Sequence, residues 1–352
     1  MEQYNACDAH KKYSIFGGLY ENGKKLGHVR VEHEREVYRS FLKTLPEGSS
    51  IALESMGSWY WMVDEIERAG HRAILVHPRK AKMMMGQINK TDKLDVDGLA
   101  RLHRNGTLPE VWIAPSEIRD QRELPRMRMT LVSIRTKLKN RIHATLAKYN
   151  IQIEEVSDVF GVEGRRLLEE RSKQLPPETR HAAEEQLKVL DEVEERIEDA
   201  EKRIAQIVSQ TPEMQLLKTL PGFGPILSIV AALEIGKIER FGRPEQLASY
   251  SGTVPRIHSS GGKTRFGKTC PDVNRYLKHA FIEAANIVMM NQKRMPEHHT
   301  VLLYQRIRQA KGHGKAIVAV ARHLAEAAFW VLTKKEVYRE PLRKKLVSST
   351  QG

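Results

Sequence analysis

Short apolar runs separated by polar turns fill the first 80 residues. The runs at 4–9, 12–20 and 26–31 predict three strands, and Glu21-Asn22-Gly23 between the last two is typical of a hairpin turn. The pattern then predicts a helix at 36–45, a strand at 50–54, a helix at 59–69 and a strand at 71–77. We therefore expect a mixed α/β domain at the start of the chain.

The order of these elements narrows the fold class. Three hairpin-linked strands followed by strands joined through helices is the chain order of an RNase H-like fold, although other mixed α/β folds share parts of it. From about residue 118 to 210 the spacing of apolar residues becomes helical instead. The chain is thus expected to combine an α/β domain with mainly helical regions.

One helical stretch carries an apolar stripe with spacings of 3, 4, 3, 4 and 3, surrounded by acidic residues. The stripe consists of Leu190, Val193, Ile197, Ala200, Ile204 and Ile207. This is the a/d pattern of a coiled coil, but it runs for fewer than three heptads. Two interpretations stay open, a helix hairpin packed within one chain and a coiled coil that joins two copies.

The composition changes again at Leu220. The run Leu220-Pro221-Gly222-Phe223-Gly224-Pro225 before an apolar helix is typical of a helix-hairpin-helix, whose turn amides can face a phosphate. The alternative is a plain Gly-Pro turn between two packed helices. Residues 251–268 read as a Gly/Ser/basic loop, and helices resume from about 271 to 337. These changes predict four regions: 1–115, a helical or coiled-coil region 116–210, a C-terminal domain 211–345 and a tail 346–352.

Positive charge is concentrated at the C-terminal end. Nineteen Lys and Arg against six Asp and Glu give residues 251–352 a net charge of +13, out of +14 for all 352 residues. Localised positive charge favours polyanions because binding releases their counter-ions, so nucleic acid is the leading partner class. A ribosome-like or membrane-surface basic tail is the alternative, and it fits less well because the cations alternate with helix-spaced apolar residues.

Composition also excludes several protein classes. With 40% hydrophobic and 29% charged residues, the chain is expected to form packed cores rather than a disordered coil. The most apolar stretch, 316–333, is interrupted by Arg322, His323 and Glu326, and residues 1–10 lack a secretory leader, so we expect no membrane span and no secretion. Cys7 and Cys270 cannot form a disulfide scaffold or a zinc cluster, which favours the reducing cytoplasm.

Four carboxylates lie where phosphodiester chemistry would need metal ligands. Asp8 interrupts the first predicted strand, and Glu54 directly follows the apolar run 51–53. Asp92 and Asp95 are three residues apart, so they share a face if their segment is helical. Separated carboxylates of this kind can converge on one or two Mg²⁺. Each also has a plain alternative, as a turn residue, a strand-end charge or a helix-capping acid.

The same residues resemble a known family. The motifs are Asp8, Leu53-Glu54-Ser55-Met56-Gly57, His77-Pro78, Lys90-Thr91-Asp92-Lys93-Leu94-Asp95, Leu220-Pro221-Gly222-Phe223-Gly224-Pro225, Glu234-Ile235-Gly236, Arg240-Phe241, Gln246-Leu247-Ala248-Ser249-Tyr250-Ser251-Gly252, Pro255, Ser260-Gly261 and Asn274-Arg275-Tyr276-Leu277. Together they resemble the DEDD transposases of the insertion sequence 110 family, relatives of the Piv and MooV invertases, over most of residues 3–290.

The resemblance implies a function and its residues. It implies a RuvC-like domain whose metal ligands are Asp8, Glu54, Asp92 and Asp95, with two Mg²⁺ ions or Mn²⁺ as cofactor, and a C-terminal domain whose nucleophile is Ser260. Such proteins are DNA recombinases guided by a noncoding RNA that pairs with donor and target DNA. They work as homo-oligomers, here expected as a dimer or tetramer, in which the two domains build a composite site.

Several assignments stay open at this point. Ser259 competes with Ser260, and Asp97 is an unassigned carboxylate beside the quartet. A serine hydroxyl attacks poorly unless a base or a cation stabilises its alkoxide, so a metal-dependent serine nucleophile is chemically reasonable. The alternatives are a Holliday-junction nuclease that uses water with the same quartet, and a nucleic-acid-binding protein without catalysis.

Overall fold

A computed structural model describes residues 2–55, 57–86, 91–208 and 210–341. The chain divides into two compact units, Met1–Ala114 and Pro115–Gly352, and each is described by itself. Met56 and Lys90 of the sequence motifs, and the predicted tail 346–352, lie outside the described residues. The ranges predicted for four regions stay predictions.

The N-terminal unit is a five-stranded mixed sheet with helices on both faces. Its elements are β1 (Gln3–Ala9), β2 (Tyr13–Tyr20), β3 (Val29–Glu32), α1 (Arg35–Leu42), β4 (Ser50–Glu54), α2 (Trp59–Arg68), β5 (Arg72–Val76), α3 (Pro78–Met85) and α4 (Asp92–Arg104). The strand order is β3-β2-β1-β4-β5. β1, β2 and β3 are antiparallel neighbours, whereas β4 lies parallel to both β1 and β5. This confirms the mixed α/β fold and agrees with the chain order expected for an RNase H-like domain.

The two faces of the sheet bury different helices. Alternate residues of β1 and β4, such as Cys7 and Leu53, pack with α1 and α2 in one apolar cluster. Their neighbours Ala6 and Ala52 pack with the apolar side of α4 in another. Because successive side chains of a strand point to opposite faces, central strands covered on both sides must be apolar throughout. This explains why the carboxylates in β1 and β4 stand out in the sequence.

Two predicted boundaries were wrong by a few residues. The third strand begins at Val29 rather than at 26, because Lys25 and His28 turn aside to bond the Asp97 carboxylate on α4. Leu26 still donates its amide to the carbonyl of Gly18 in β2. The helix expected at 36–45 ends at Leu42, where the chain enters a turn toward β4.

The C-terminal unit is mainly helical. Its elements are α5 (Ser116–Lys148), α6 (Val162–Ser172), α7 (Pro177–Ile207), α8 (Pro212–Leu217), α9 (Pro225–Ile235), α10 (Pro244–Tyr250), β6 (Pro255–Ser260), β7 (Lys263–Thr269), α11 (Arg275–Met290), α12 (His299–Lys311) and α13 (His313–Lys334). Short 3₁₀ turns lie at Ile238–Arg240 and Gln292–Arg294. The main core is built largely from α11 and α13, whose inward residues, such as Phe281 and Leu324, are fully buried.

The apolar stripe of α7 is covered within the chain. α5 and α7 run antiparallel, with ion pairs from Arg128 to Glu201 and from Lys139 to Glu194 along their contact. The described stripe residues are at most 9% exposed: Leu190, Val193, Ile197, Ala200 and Ile204. The side chain of Ile207 lies outside the description. The structure therefore agrees with the first interpretation, a helix hairpin packed within one chain. A coiled coil between two copies could use this stripe only if α5 were displaced from it.

Helix α13 is the one described helix that is long and apolar enough to cross a membrane by length and composition. Of its most apolar window, 56% is buried inside the unit, where Ala321, Leu324 and Ala328 have no exposed surface. A central core helix of this kind satisfies the same criteria as a membrane span.

The segment 251–268 was wrongly predicted as a loop. It contains most of a two-stranded antiparallel hairpin, β6 and β7, joined by Gly261 and Gly262. Both glycines have positive φ, +54° and +73°, which is the conformation that a two-residue hairpin turn demands. The sequence of this segment lacks strict apolar alternation because nearly all of it is exposed, so the usual strand pattern is missing.

Candidate functional site

Two carboxylates occupy neighbouring positions at the carboxyl ends of two parallel strands. The parallel register pairs Cys7 of β1 with Leu53 of β4, so Asp8 and Glu54 occupy the next positions of the two strands. Alternation places both on the sheet face that packs against α4. Adjacent strands are about 4.8 Å apart, so the sheet alone brings these two residues into one neighbourhood.

Helix α4 brings the second pair of carboxylates to this face. The hydroxyl of Thr91 accepts a hydrogen bond from the amide of Leu94, so Thr91 is the N-cap and the helix begins at Asp92. Asp92 and Asp95 therefore lie in the first turn, where the helix dipole favours negative charge. The helical interpretation of this segment is confirmed.

A histidine that the sequence analysis missed joins the site. His10 Nε2 lies 3.2 Å from Oδ2 of Asp8 and 3.2 Å from Oδ2 of Asp92. One potential ligand atom from each of the three residues lies within 4.8 Å of the other two. This Nε2 atom is buried, and it makes no hydrogen bond of good geometry to any residue that the structure describes. Asp8, His10 and Asp92 thus form a compact group of donors.

The other two predicted ligands lie outside this group of three. Glu54 is half-buried at the end of β4, and Asp95 is half-buried three residues along α4 from Asp92. Neither belongs to a set of three or more donors at ligand distance in the part of the chain that the structure describes. The signal that could have drawn attention to His10 is its position two residues after Asp8, directly beyond the end of β1.

The donor set suits a divalent cation. Two carboxylate oxygens are typical ligands of Mg²⁺ and Mn²⁺, and the imidazole adds a nitrogen donor that softer metals accept. The site is also open to substrate, since the side chains of Asp8, His10 and Asp92 are 18%, 31% and 44% exposed. A buried imidazole nitrogen facing two carboxylates would gain a partner in such an ion, so the residues fit the metal.

Asp97 has a different role from the quartet. Its carboxylate is buried and bonds Lys25 Nζ at 2.6 Å and His28 Nε2 at 2.9 Å. Burial by itself would raise the pKa of Asp97, but the hydrogen bonds from Lys25 and His28 outweigh it and hold the pKa below its ordinary value. Asp97 therefore fastens the segment between β2 and β3 to α4, the helix that carries Asp92.

Ser260 lies at the tip of the β6–β7 hairpin. It is exposed and pairs across the turn with Lys263, next to Gly261 and Gly262. A hydroxyl there is accessible to a large substrate.

The register distinguishes Ser260 from Ser259. Residues opposite each other on antiparallel strands share a face, so Ser259 faces the same way as Thr264, and their hydroxyl oxygens are 3.3 Å apart. Ser260 points to the other face, which carries Lys263 and Arg265. The exposed hydroxyl on the cationic face is therefore that of Ser260.

A second basic surface in this unit is an open groove of about 880 Å³ bordered by α5, α9 and α11. Arg135, Lys137, Arg275 and His279 line it, and the single carboxylate among its lining residues is Glu283. Helix α9 begins at this groove without a side-chain cap. The excess of cations favours an anionic partner.

Two motif residues of the C-terminal unit are structural. Glu234 is buried, and both its carboxylate oxygens accept from Arg126, at 2.8 and 3.1 Å, while Asn274 Nδ2 donates to it at 2.7 Å. Asn274 in turn caps α11 by accepting from the amides of Tyr276 and Leu277. These residues fix the start of α11 directly after the hairpin.

Comparison with known proteins gives the same assignment along the chain. Residues 6–151 match the DEDD transposase family of IS110 elements, and residues 214–300 match the transposase family of IS116, IS110 and IS902. The first match contains the carboxylate site, and the second contains the Gly222 turn and the hairpin with Ser260.

Full-length relatives support the match. The chain is 26% identical over 322 residues to the transposase for insertion sequence element IS1111A of Coxiella burnetii, covering 92% of this chain and 87% of the relative. It is 25% identical to a probable family 20 transposase of Pseudomonas aeruginosa, with 88% and 91% covered. For the IS1328 transposase of Yersinia enterocolitica the identity is 24%, with the same coverage. With both of its units matched in order, the chain belongs to the IS110 family of transposases.

Proposed function

We propose that this transposase cuts DNA with divalent metal held by Asp8, Glu54, Asp92 and Asp95. The observation that carries the proposal is the convergence of Asp8 and Asp92, with His10, at the carboxyl end of the parallel strands. Glu54 and Asp95 border this group and would complete its oxygen ligands. The metal is proposed as Mg²⁺, with Mn²⁺ as an acceptable substitute.

The protein side chains supply position, and the metal supplies charge. A bound divalent ion would polarise the phosphate and stabilise the leaving oxygen. Asp8 is fixed by the sheet and Asp92 by the capped start of α4, so their separation is set by rigid elements. His10 Nε2 lies 3.2 Å from an oxygen of each of these two carboxylates.

The proposed nucleophile is Ser260. Its Oγ would attack the phosphorus as the hydroxyl proton passes to water, and the bond from phosphorus to a deoxyribose oxygen would break, that oxygen leaving as a hydroxyl with a proton taken from water. The resulting phosphoserine keeps one phosphodiester bond, so reversal of the step with a new strand end rejoins DNA without ATP. Its support is the position of Ser260 at an exposed tip beside Lys263 and Arg265, whose charges attract the DNA backbone.

The proposed partners are donor DNA, target DNA and a noncoding guide RNA. The net charge of +13 on residues 251–352 and the basic groove along α5 and α11 support contacts to nucleic acid. We also propose that the protein works as a homo-oligomer, dimer or tetramer, in the cytoplasm.

The metal site is tested by cleavage of element-end DNA with added Mg²⁺ or Mn²⁺. Asp8→Asn, Glu54→Gln, Asp92→Asn and Asp95→Asn are each expected to abolish cleavage with the fold intact, because each removes a charged ligand. Glu36→Gln, at a side chain that is 89% exposed on α1, is the control and should cut normally. Full cleavage by Asp92→Asn would remove that residue from the site.

The nucleophile is tested by isolating a covalent protein–DNA adduct on a denaturing gel. Ser260→Ala should form no adduct and still bind DNA, whereas Ser259→Ala should keep both. If metal-dependent cleavage occurs without any adduct, the protein is a nuclease that uses water. If no cleavage occurs with metal and guide RNA present, the carboxylate site is not catalytic and nucleic-acid binding is the remaining function.

A further inference from the structure

The β6–β7 hairpin has a second face that the proposed cleavage chemistry does not use. Ile257 and Phe266 are paired across the two strands and are 59% and 66% exposed. Both lie outside the apolar clusters that the described residues form. Ser259 and Thr264 extend this face toward the tip. The hairpin thus presents an apolar patch with an aromatic ring on one face, and Lys263 and Arg265 on the other.

The charge of the hairpin limits what can cover this patch. Residues 255–269 contain four Lys and Arg, at 256, 263, 265 and 268, and no Asp or Glu. A second copy of the hairpin would bring like charges together, which opposes pairing between copies. Nucleic acid offers both complements, phosphates for the cations and the flat face of a base for the ring.

We propose that Phe266, supported by Ile257, is a stacking platform for a nucleobase that has left the duplex stack. The inference rests on the proposed function in taking DNA as the partner, and it adds the base contact of the hairpin that carries Ser260. Aromatic side chains stack on bases irrespective of sequence, because every base has a flat π-face.

The spacing along the hairpin relates this contact to the cleavage position. Ile257 precedes Ser260 by three residues, which is about 10 Å at a strand rise of about 3.3 Å per residue. Three stacked nucleotides span that length at about 3.4 Å each, and an unstacked strand covers it with fewer. A strand that passes along the hairpin edge can therefore place one phosphate at Ser260 and a base no more than about three nucleotides away at Phe266.

The test measures binding of the full-length protein to a fluorescein-labelled dT20 strand and to a 20-base-pair duplex, without divalent metal so that no cleavage occurs. Phe266→Ala is expected to weaken dT20 binding about 5- to 100-fold and duplex binding much less, because only unpaired bases are free to stack. Phe266→Trp should retain the affinity for dT20. Because Phe266 is mostly exposed, these variants are expected to unfold at the wild-type urea concentration.

Matched variants separate stacking from charge. Thr264→Ala truncates a side chain that lies on the same face as Phe266 but has no aromatic ring. This variant should bind dT20 with an affinity within twofold of wild type. Arg265→Ala, on the opposite face, should lower the slope of log affinity against log salt by about 0.7, the value for one phosphate contact on a single strand. Phe266→Ala should leave that slope unchanged.

Three results with Phe266→Ala would overturn the platform. They are unchanged dT20 binding by Phe266→Ala, an equal loss on strand and duplex, and a drop in the light-scattering mass of Phe266→Ala, which would assign the patch to a contact between copies. Wild-type protein that binds the duplex but not dT20 would also reject the platform and leave the proposed function intact. Binding to neither nucleic acid would reject both.

Discussion

Asp92 and Asp97 lie on the same helix, five residues apart, but they have different contacts and different roles. Asp92 is 44% exposed and faces His10, whereas Asp97 is buried and bonds Lys25 and His28. The sequence run from 92 to 97 offers three aspartates of equal appearance. Their roles differ because helix rotation turns Asp97 toward the β2–β3 segment and leaves Asp92 at the open end of the sheet.

The contacts of Asp97 predict a pH-dependent contribution to stability. Asp97→Asn should lower the free energy of unfolding at pH 7 by about 1–3 kcal/mol, since two hydrogen bonds to an ionised carboxylate are lost. Because the folded pKa of Asp97 is lowered, this contribution is complete above about pH 5 and fades as the pH falls below the unfolded value of about 3.9. Urea unfolding between pH 7 and pH 3 measures it, with Glu36→Gln as control. A constant difference over that range would contradict the assignment.

At the scale of elements, the turn between α8 and α9 requires glycine at position 222 because the turn packs closely against α11. Gly222 has φ +78°, and a Cβ there would lie 2.2 Å from the carbonyl oxygen of Ala284 on α11. The turn thus sits directly against another helix. The phosphate-binding interpretation of this turn stays a prediction, but its Gly222 has a sufficient structural reason.

Gly222→Ala is therefore expected to destabilise the protein by about 2 kcal/mol or more, through both strained backbone and overlap with α11. Gly224→Ala is the matched control, because the position two residues later has φ −97° and open space around its Cβ. Urea unfolding of the two variants gives the comparison. Equal stability of both would show that the turn can move away from α11.

The contact between α5 and α7 also makes a prediction at this scale. Ile197→Ala should cost about 2–5 kcal/mol of unfolding free energy, because a buried side chain is replaced by a cavity. The control on the same helix is Val189→Ala, at a residue that is 44% exposed. The light-scattering mass should be the same for both variants. A lower mass for Ile197→Ala at unchanged stability would mean that the stripe joins two copies.

The whole molecule is electrically asymmetric, with nearly all of its net charge on the last hundred residues. In the C-terminal unit the hairpin tip and the groove along α5 and α11 both carry exposed cations. Two separate basic surfaces in one unit agree with a protein that handles more than one nucleic-acid strand.

We expect the purified protein to carry or require a structured RNA, and its nucleic-acid affinity to fall steeply with salt. Removing RNA with RNase should abolish recombination, and adding back the element's noncoding transcript should restore it. An unrelated RNA of equal length and fold is the control. Full recombination by RNA-free protein would contradict RNA guidance.

The sequence by itself determined the parts of this protein that depend on local pattern. Alternating and helical apolar spacing predicted the five strands of the sheet and most helices, because buried faces repeat with the period of their element. Asp8 and Glu54 could be singled out because charge is costly in a buried strand, and Asp92 and Asp95 because a spacing of three places them on one face of a helix. The β6–β7 hairpin could not be predicted in this way, because nearly all of its residues are exposed and no buried face imposes an apolar pattern.

Only the tertiary structure decided which residues meet. His10 joined Asp8 and Asp92 because the ends of β1 and α4 approach each other, and no local spacing contains that contact. The apolar stripe of α7 packs against α5, and Asp97 forms an ion pair with Lys25. The cross-strand register places Ser259 and Ser260 on opposite faces of the hairpin. The physical reason is common to all four, because contacts between distant segments follow from how whole elements pack, which the pattern of a single segment leaves open.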